Sequence, residues 1–171
     1  SMVDWREAEL RTCTLVNARL NRAMLAGSII LDCVFDDSAA AVLDTSKARI
    51  SGSTFDRVAM PGAIWTDAVV SATRFVGARF GNARWDGGRF VDCDFRAASF
   101  EPDREFPPTR MRGASFEGCD LGNANLNGTD LRGVTFKRCK LGGAYGEPRY
   151  FSEVTLQDCD VTLDALEAQL V

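Results

Sequence analysis

Counted in fives from Trp5, the chain sets an apolar residue at almost every step to Phe100. The series runs Trp5, Leu10, Leu15, Leu20, Leu25, Ile30, Phe35, Ala40, Thr45, Ile50, Phe55, Met60, Trp65, Val70, Phe75, Phe80, Trp85, Phe90, Phe95 and Phe100, with Thr45 as its single polar member. Two residues before each stands a second series, Val3, Ala8, Cys13, Ala18, Ala23, Ser28, Cys33, Ser38 and on to Cys93 and Ala98, in which Leu43 alone is not small. In a chain that is 46% hydrophobic, chance produces the first series with a probability on the order of 10⁻⁵. A period of five fits neither the ~3.6 residues of a helical turn nor the ~2.0 of a strand. The backbone must therefore turn a corner at every unit and coil about an axis, burying one large and one small side chain each time.

The number of units in a coil is also written in the sequence. Phe35, Phe55, Phe75 and Phe95 recur every twenty residues, and after one inserted residue the column continues as Phe116, Phe136 and Leu156. Trp5, Leu25, Thr45, Trp65 and Trp85 make another such column. Like side chains thus stack on like, four units to a coil, at the ~4.8 Å spacing of hydrogen-bonded strands. The core is predicted to be a narrow column of side chains, and nothing is left over for a cleft.

The run from Cys119 to Leu131, which contains Ala124-Asn125-Leu126-Asn127-Gly128, resembles the A(D/N)LXX motif of the pentapeptide-repeat family, and the looser pattern covers nearly the whole chain. The resemblance implies an all-β fold: a right-handed, four-sided parallel β-helix of about eight coils, with short bridges and turns instead of long strands. It also implies kinship with members that imitate DNA, bind DNA gyrase or topoisomerase IV and protect it from fluoroquinolones or peptide toxins. The reading of function that follows is a non-enzymatic binding protein, a partial DNA mimic directed at a type II topoisomerase.

Length and composition fit one solenoid domain, residues 1–161, followed by a short terminal helix, residues 162–171. A chain of 171 residues buries a continuous core without metals or disulfides. There is no run of eighteen apolar residues to span a membrane, and the repeat begins at Val3, so no charged-then-apolar leader is expected. A cytoplasmic protein is the expectation.

Six cysteines raise the question of a metal or disulfides. Cys13, Cys33, Cys93, Cys119, Cys139 and Cys159 all fall at the small inward position, where they alternate with Ala, Ser, Thr and Val. Stacked β-carbons near ~4.8 Å are too far apart for a disulfide, which wants about 3.8 Å. With no histidine and no C-x₂-C pair, zinc has no ligand set. Reduced thiols acting as small hydrophobes are predicted. The lack of histidine also removes the usual base of a nucleophilic triad, and the carboxylates scatter over outward positions. Neither a cofactor nor catalysis is expected.

Three breaks interrupt the rhythm, and breaks are where a repeat protein carries specificity. At Leu43-Asp44-Thr45-Ser46-Lys47 the large and small positions are exchanged, which predicts a local distortion or a small outward loop. Between Phe100 and Met111 an insertion with three prolines, residues 101–110, predicts a projecting loop, with Glu101, Asp103, Arg104, Glu105 and Phe106 as candidate partner contacts. Gly146-Glu147-Pro148-Arg149-Tyr150 costs one core position and predicts a bulge.

At the C-terminus the period turns helical: Leu163, Leu166 and Leu170 share one stripe, Thr162 suits the N-cap and Asp164 the first turn. Such a helix covers the last open strand edge. By resemblance to the gyrase-binding members it also joins two chains tail to tail, so a homodimer through Leu163, Leu166 and Leu170 is expected.

Charge limits the imitation of DNA. A tail-to-tail pair of rods is ~77 Å long, a length over which B-DNA carries about 45 phosphates. Against this the formal charge is −4 per chain. Arg74, Arg79, Arg84 and Arg89 stand outward on four successive faces, and direct binding to nucleic acid is not expected. Residues 147–171 are different. Glu147, Glu153, Asp158, Asp160, Asp164 and Glu167 face Arg149 alone, and two such ends would concentrate −10 at a dimer centre. Glu153, Asp158, Asp160, Asp164 and Glu167 are the candidate acidic centre. The alternative is a cytoplasmic interaction scaffold unrelated to topoisomerases. Its support is apolar residues at outward positions, namely Met24, Ile29, Leu31, Val34, Ile64 and Val69.

Overall fold

The computed structural model describes residues 3–103 and 107–170. Each coil contributes one three-residue strand: β1 (Glu9–Arg11), β2 (Ile29–Leu31), β3 (Arg49–Ser51), β4 (Val69–Ser71), β5 (Arg89–Val91), β6 (Ser115–Glu117), β7 (Thr135–Lys137) and β8 (Thr155–Gln157), after which comes the helix α1 (Leu163–Gln169). The strands pair in parallel and in chain order, with Leu10 against Ile30, Ile30 against Ile50, and so on through Phe136 against Leu156. Three further ladders of parallel bridges run alongside, through Asp4 and Met24, Thr14 and Val34, and Arg19 and Ala39. Four ladders make four faces, and eight strands make a β-solenoid of about seven turns from first rung to last.

The five-residue unit closes by two local devices. The residue two after each large inward side chain takes a left-handed backbone, as at Asn17 (φ 56°), Asp37 (φ 59°) and Arg57 (φ 57°). Its N–H donates to the neighbouring coil, as from Asn17 to the Asp36 carbonyl at 3.0 Å. The N–H of the next small residue then folds back on the large one three earlier, as from Ala83 to the Phe80 carbonyl at 3.0 Å. That bond closes a tight turn and leaves space inward only for a small side chain. One N–H per corner points along the axis and is capped by outward side chains: Asn21 Oδ1 accepts from Ala41, Asp36 from Asp56 and Asp56 from Val76, each at 2.9 Å.

Inside, the columns stack at the twenty-residue period up to Phe100. Beyond it Phe116 stacks on Phe90 at 5.1 Å between centroids and does not continue the Phe95 column as expected, because the insertion adds six residues to one coil and not one. Ring centroids lie 5.3 Å apart between Phe55 and Phe75, 4.8 Å between Phe75 and Phe95, and 5.4 Å between Trp65 and Trp85. The offset from the strand spacing is small, so the rung distance itself brings the rings to favourable separation. The buried indole N–H groups of Trp65 and Trp85 have no oxygen partner. Their rings instead stand edge-to-face against Phe75 and Phe80.

The breaks resolve differently from the sequence expectation in one case. No outward loop forms at residues 43–47. Leu43 turns inward at the small position, Thr45 stays inward, and its hydroxyl donates to the Ile64 carbonyl at 2.8 Å. Volume is exchanged between two positions of one coil, and the ladder from Met24 through Asp44 to Ile64 continues unbroken. After Phe100 the coil resumes with Thr109 and Met111 buried. At the third break Gly146 replaces a large residue. Its φ is 98°, and a Cβ there would meet the Asn127 backbone nitrogen at 2.6 Å, so the coil is drawn tight against its predecessor.

Candidate binding surface

The interior holds no room for a ligand. One void of about 10 Å³ lies among Leu20, Ile30, Leu43, Thr45 and Phe55. Its apolar walls and one-probe size leave it dry. Among the described residues, no group of three or more acidic, cysteine or histidine side chains is placed to hold a metal, and no helix is long and apolar enough to cross a membrane. The six thiols are free. Cys33, Cys93, Cys119 and Cys139 are buried, whereas Cys13 and Cys159, in the end coils, are half-buried. Each thiol donates to a carbonyl, as Cys139 does to Phe116 at 3.3 Å. Burial pushes the Cys33 and Cys159 thiols up, and contact with its neighbours in the stack does the same for Cys139. These are poor nucleophiles.

The chemistry of the molecule is therefore displayed on its faces. The insertion is pinned at its base: Asn82 Nδ2 donates to the Pro107 carbonyl at 2.7 Å, the Asp103 N–H to Asn82 Oδ1 at 3.2 Å, and Thr109 Oγ1 to the Phe100 carbonyl at 2.6 Å. Glu101 lies along the axis and accepts from Asn125 at 2.9 Å and Asn127 at 2.8 Å. Asp103 lines a groove of about 190 Å³ together with Pro108 and Arg149. The other three expected loop contacts, Arg104, Glu105 and Phe106, lie outside the described residues.

The terminal helix divides the three leucines of the expected pairing stripe between cap and surface. Thr162 Oγ1 caps it by accepting from the Ala165 N–H at 3.2 Å. Leu166 and Leu170 are buried against the chain's own last coils, and Gln169 Nε2 donates to the carbonyls of Leu141 and Ala144 at 2.9 and 2.8 Å. Leu163, 37% exposed, is left outside. The stripe is divided because a seven-residue helix lying across the end of a solenoid satisfies the column beneath it first. Beside it an open groove of about 540 Å³ is lined by Leu156, Asp158, Cys159, Val161 and Leu163.

Of the candidate acidic centre, Glu153, Asp158, Asp164 and Glu167 are exposed. Asp160 is committed to the fold: its carboxylate accepts from the N–H groups of Leu141 at 2.7 Å and Gly142 at 3.2 Å. Sequence reading missed two ion-pair networks between coils. Asp130, fully buried, accepts from Arg112 at 2.6 Å and Arg132 at 2.7 Å, and Arg132 in turn lies 4.2 Å over the Tyr150 ring. Burial pushes the Asp130 carboxyl up, but hydrogen bonds from Arg132 and then Arg112 outweigh it and hold the group at about 2. Asp56, also buried, binds Arg74 at 2.7 Å. The legible signal was spacing: an offset of eighteen in a twenty-residue coil makes diagonal neighbours, and both Asp56–Arg74 and Arg112–Asp130 have it.

The outward apolar residues of the N-terminal half are real surface in part. Ile29 and Val69 are exposed, while Met24, Leu31, Val34 and Ile64 are half-buried.

No curated protein matches the chain. The pentapeptide-repeat protein HetL, involved in heterocyst differentiation regulation in the cyanobacterium Nostoc sp. strain PCC 7120, is 17% identical over 92% of this chain and 86% of its own, with a TM-score of 0.38. QnrB1, a plasmid-mediated fluoroquinolone resistance protein, is 16% identical in a trypsin-treated R167E form over 96% of this chain and 88% of its own, with a TM-score of 0.45. A pentapeptide-repeat protein of the Arabidopsis thaliana thylakoid lumen is 15% identical over 76% and 66%, with a TM-score of 0.25. At those identities and scores the likenesses carry no functional argument. Residues 73–101 and 109–145 match the family described as pentapeptide repeats in eight copies. The four parallel ladders, the five-residue corner and the stacked core run through those matched residues, which carry pentapeptide repeats.

Proposed function

We infer that this chain is a pentapeptide-repeat protein throughout and a non-enzymatic binding rod whose target is a type II topoisomerase, DNA gyrase or topoisomerase IV, which it protects from antibiotics or toxins. The observation that carries the reading is the separation of roles: a filled core, rigid faces, and unpaired acids gathered at one end, where Glu153, Asp158, Asp164 and Glu167 are exposed. Imitation of DNA is confined to that end, since arginines spread over the other faces offset the acids there. In this reading two cytoplasmic copies meet at the half-covered C-terminal coil around Leu163 and the groove beside it.

Purified gyrase tests the reading. Supercoiling, or drug-induced cleavage, should change at micromolar concentrations of the wild type. The effect should weaken with added salt and be lost in a Glu153→Gln, Asp158→Asn, Asp164→Asn, Glu167→Gln variant. No effect of the wild type on either assay sinks it. Light scattering of Leu163→Asp tests the assembly, because that residue is outside the cap and its replacement spares the fold. A second reading, an interaction scaffold for another protein, is favoured by the exposed apolar side chains Ile29 and Val69 on the strand face.

A further inference from the structure

The outer face of β2 to β5 differs from the rest of the rod. Its two columns read Ile29, Arg49, Val69, Arg89 and Leu31, Ser51, Ser71, Val91 along the axis. Ile29 is 39% and Val69 46% exposed. Arg49 and Arg89 are exposed and form no ion pair among the described residues, unlike the arginines around Asp130 and Asp56. The acids that bound the face are engaged elsewhere: Glu9 pairs with Arg11, and Glu117 with Arg138 and Lys137. Asp32, Asp67 and Asp92 lie on the flanking corners, each carboxylate turned over the glycine of the next coil, where a Cβ on Gly52, Gly87 or Gly118 would come within 2.3, 2.6 or 2.2 Å of it. Ser51 and Ser71 satisfy each other at 3.0 Å. What remains is a strip of aliphatic side chains interleaved with guanidinium groups, and arginine is among the residues enriched at protein interfaces.

We propose that this strip docks an amphipathic helix of a partner protein, laid along the solenoid axis and carrying apolar and acidic residues on alternate turns. Charge complementarity selects acids opposite Arg49 and Arg89, and spacing selects a helix. Four rungs at ~4.8 Å cover ~14 Å from Ile29 to Arg89. Three helical turns cover ~16 Å, so each rung meets successive turns with a drift of about 2 Å. An extended strand repeats its facing side chains every ~6.8 Å and falls out of step by ~6 Å over the same distance. This contact is separate from the acidic end proposed for the topoisomerase, and its test does not use that enzyme.

The probe is a fluorescein-labelled synthetic helix whose one stripe reads Leu, Glu, Leu, Glu at i, i+4, i+7 and i+11, titrated with the full chain and followed by anisotropy. Saturable binding is expected. It should weaken at least about tenfold in Arg49→Glu/Arg89→Glu and return when that variant meets a peptide with Lys in place of Glu. Ile29→Ser/Val69→Ser should weaken both pairings. Because all four side chains point outward, circular dichroism should show every variant folded. The proposal is overturned by no saturable binding to the wild type up to ~1 mM, the weak limit of specific association. It is equally overturned by unchanged binding to the charge-reversed variant, or by equal binding of a scrambled peptide of the same composition, which would mean charge attraction without a docked helix.

Discussion

The first two coils and the middle of the rod share one five-residue rule and obey it to different degrees. From Trp65 to Phe136 the large positions are aromatic or long aliphatic, buried, and stacked on both sides. In the first coil Trp5, Leu10 and Leu15 have a neighbour on one side only and are half-buried. Between them lies Thr45, where exchange with Leu43 leaves the void. Each coil is therefore stabilised by its neighbours more than by itself, which is the behaviour of a one-dimensional stack. The faces follow a different rule, since a corner or an ion pair depends on two adjacent coils wherever they lie.

The largest expected effect tests the core half of that contrast. Phe75→Ala should cost roughly 3–5 kcal/mol in chemical denaturation, because Phe55 and Phe95 cannot close on the gap. Leu15→Ala, in the frayed coil, should cost about 1–2 kcal/mol. Equal costs would break the comparison.

Next comes a buried charge against an exposed one. Asp130→Asn should cost about 2 kcal/mol, between the values for exposed and fully buried pairs, while Asp4→Asn, whose partner Arg6 is equally exposed, should leave the melting temperature unchanged. The Asp130 carboxyl is lower in the folded chain than in the unfolded one, so its stabilisation is complete above pH ~4 and is lost as pH falls toward 2. An acid titration of stability should show the wild type losing this increment over that window and the Asn variant lacking it.

The corner rule predicts equality where the core rule predicts difference. Gly52→Ala near the N-terminus and Gly118→Ala in the middle each drive a Cβ into an aspartate oxygen, at 2.3 and 2.2 Å, and should each cost about 2 kcal/mol. Removing Asp92 together with Gly118 should recover part of that cost, as coupled neighbours do. Gly113→Ala meets no atom within 4 Å and should carry only the left-handed backbone penalty of about 1 kcal/mol.

The smallest effects sharpen the picture of the surface. Arg74→Ala should cost about 1 kcal/mol by stripping the buried Asp56 of a partner, and unpaired Arg89→Ala no more than about 0.5. Thr45→Val should stay within about 0.5 kcal/mol of the wild type, because the Ile64 carbonyl keeps the Thr45 N–H at 2.8 Å. A larger loss would mean that the hydroxyl holds the exchanged pair in place.

The sequence by itself determined the period, the four-unit coil, which side chains point inward and which outward, and the change to a helix after Val161. Those features are set by local turn geometry and by the volume of one large and one small residue, which each unit carries in its own five letters. Only the tertiary structure decided that Leu43 turns in instead of looping out, and that of the three terminal leucines Leu166 and Leu170 are buried in the cap while Leu163 is left outside. The same holds for the engagement of Asp130, Asp56 and Asp160 while Arg49 and Arg89 have no ion-pair partner among the described residues. These outcomes depend on the lateral offset between neighbouring coils and on the reach of long side chains across a ~4.8 Å rung, and a periodic pattern of hydrophobicity does not encode either.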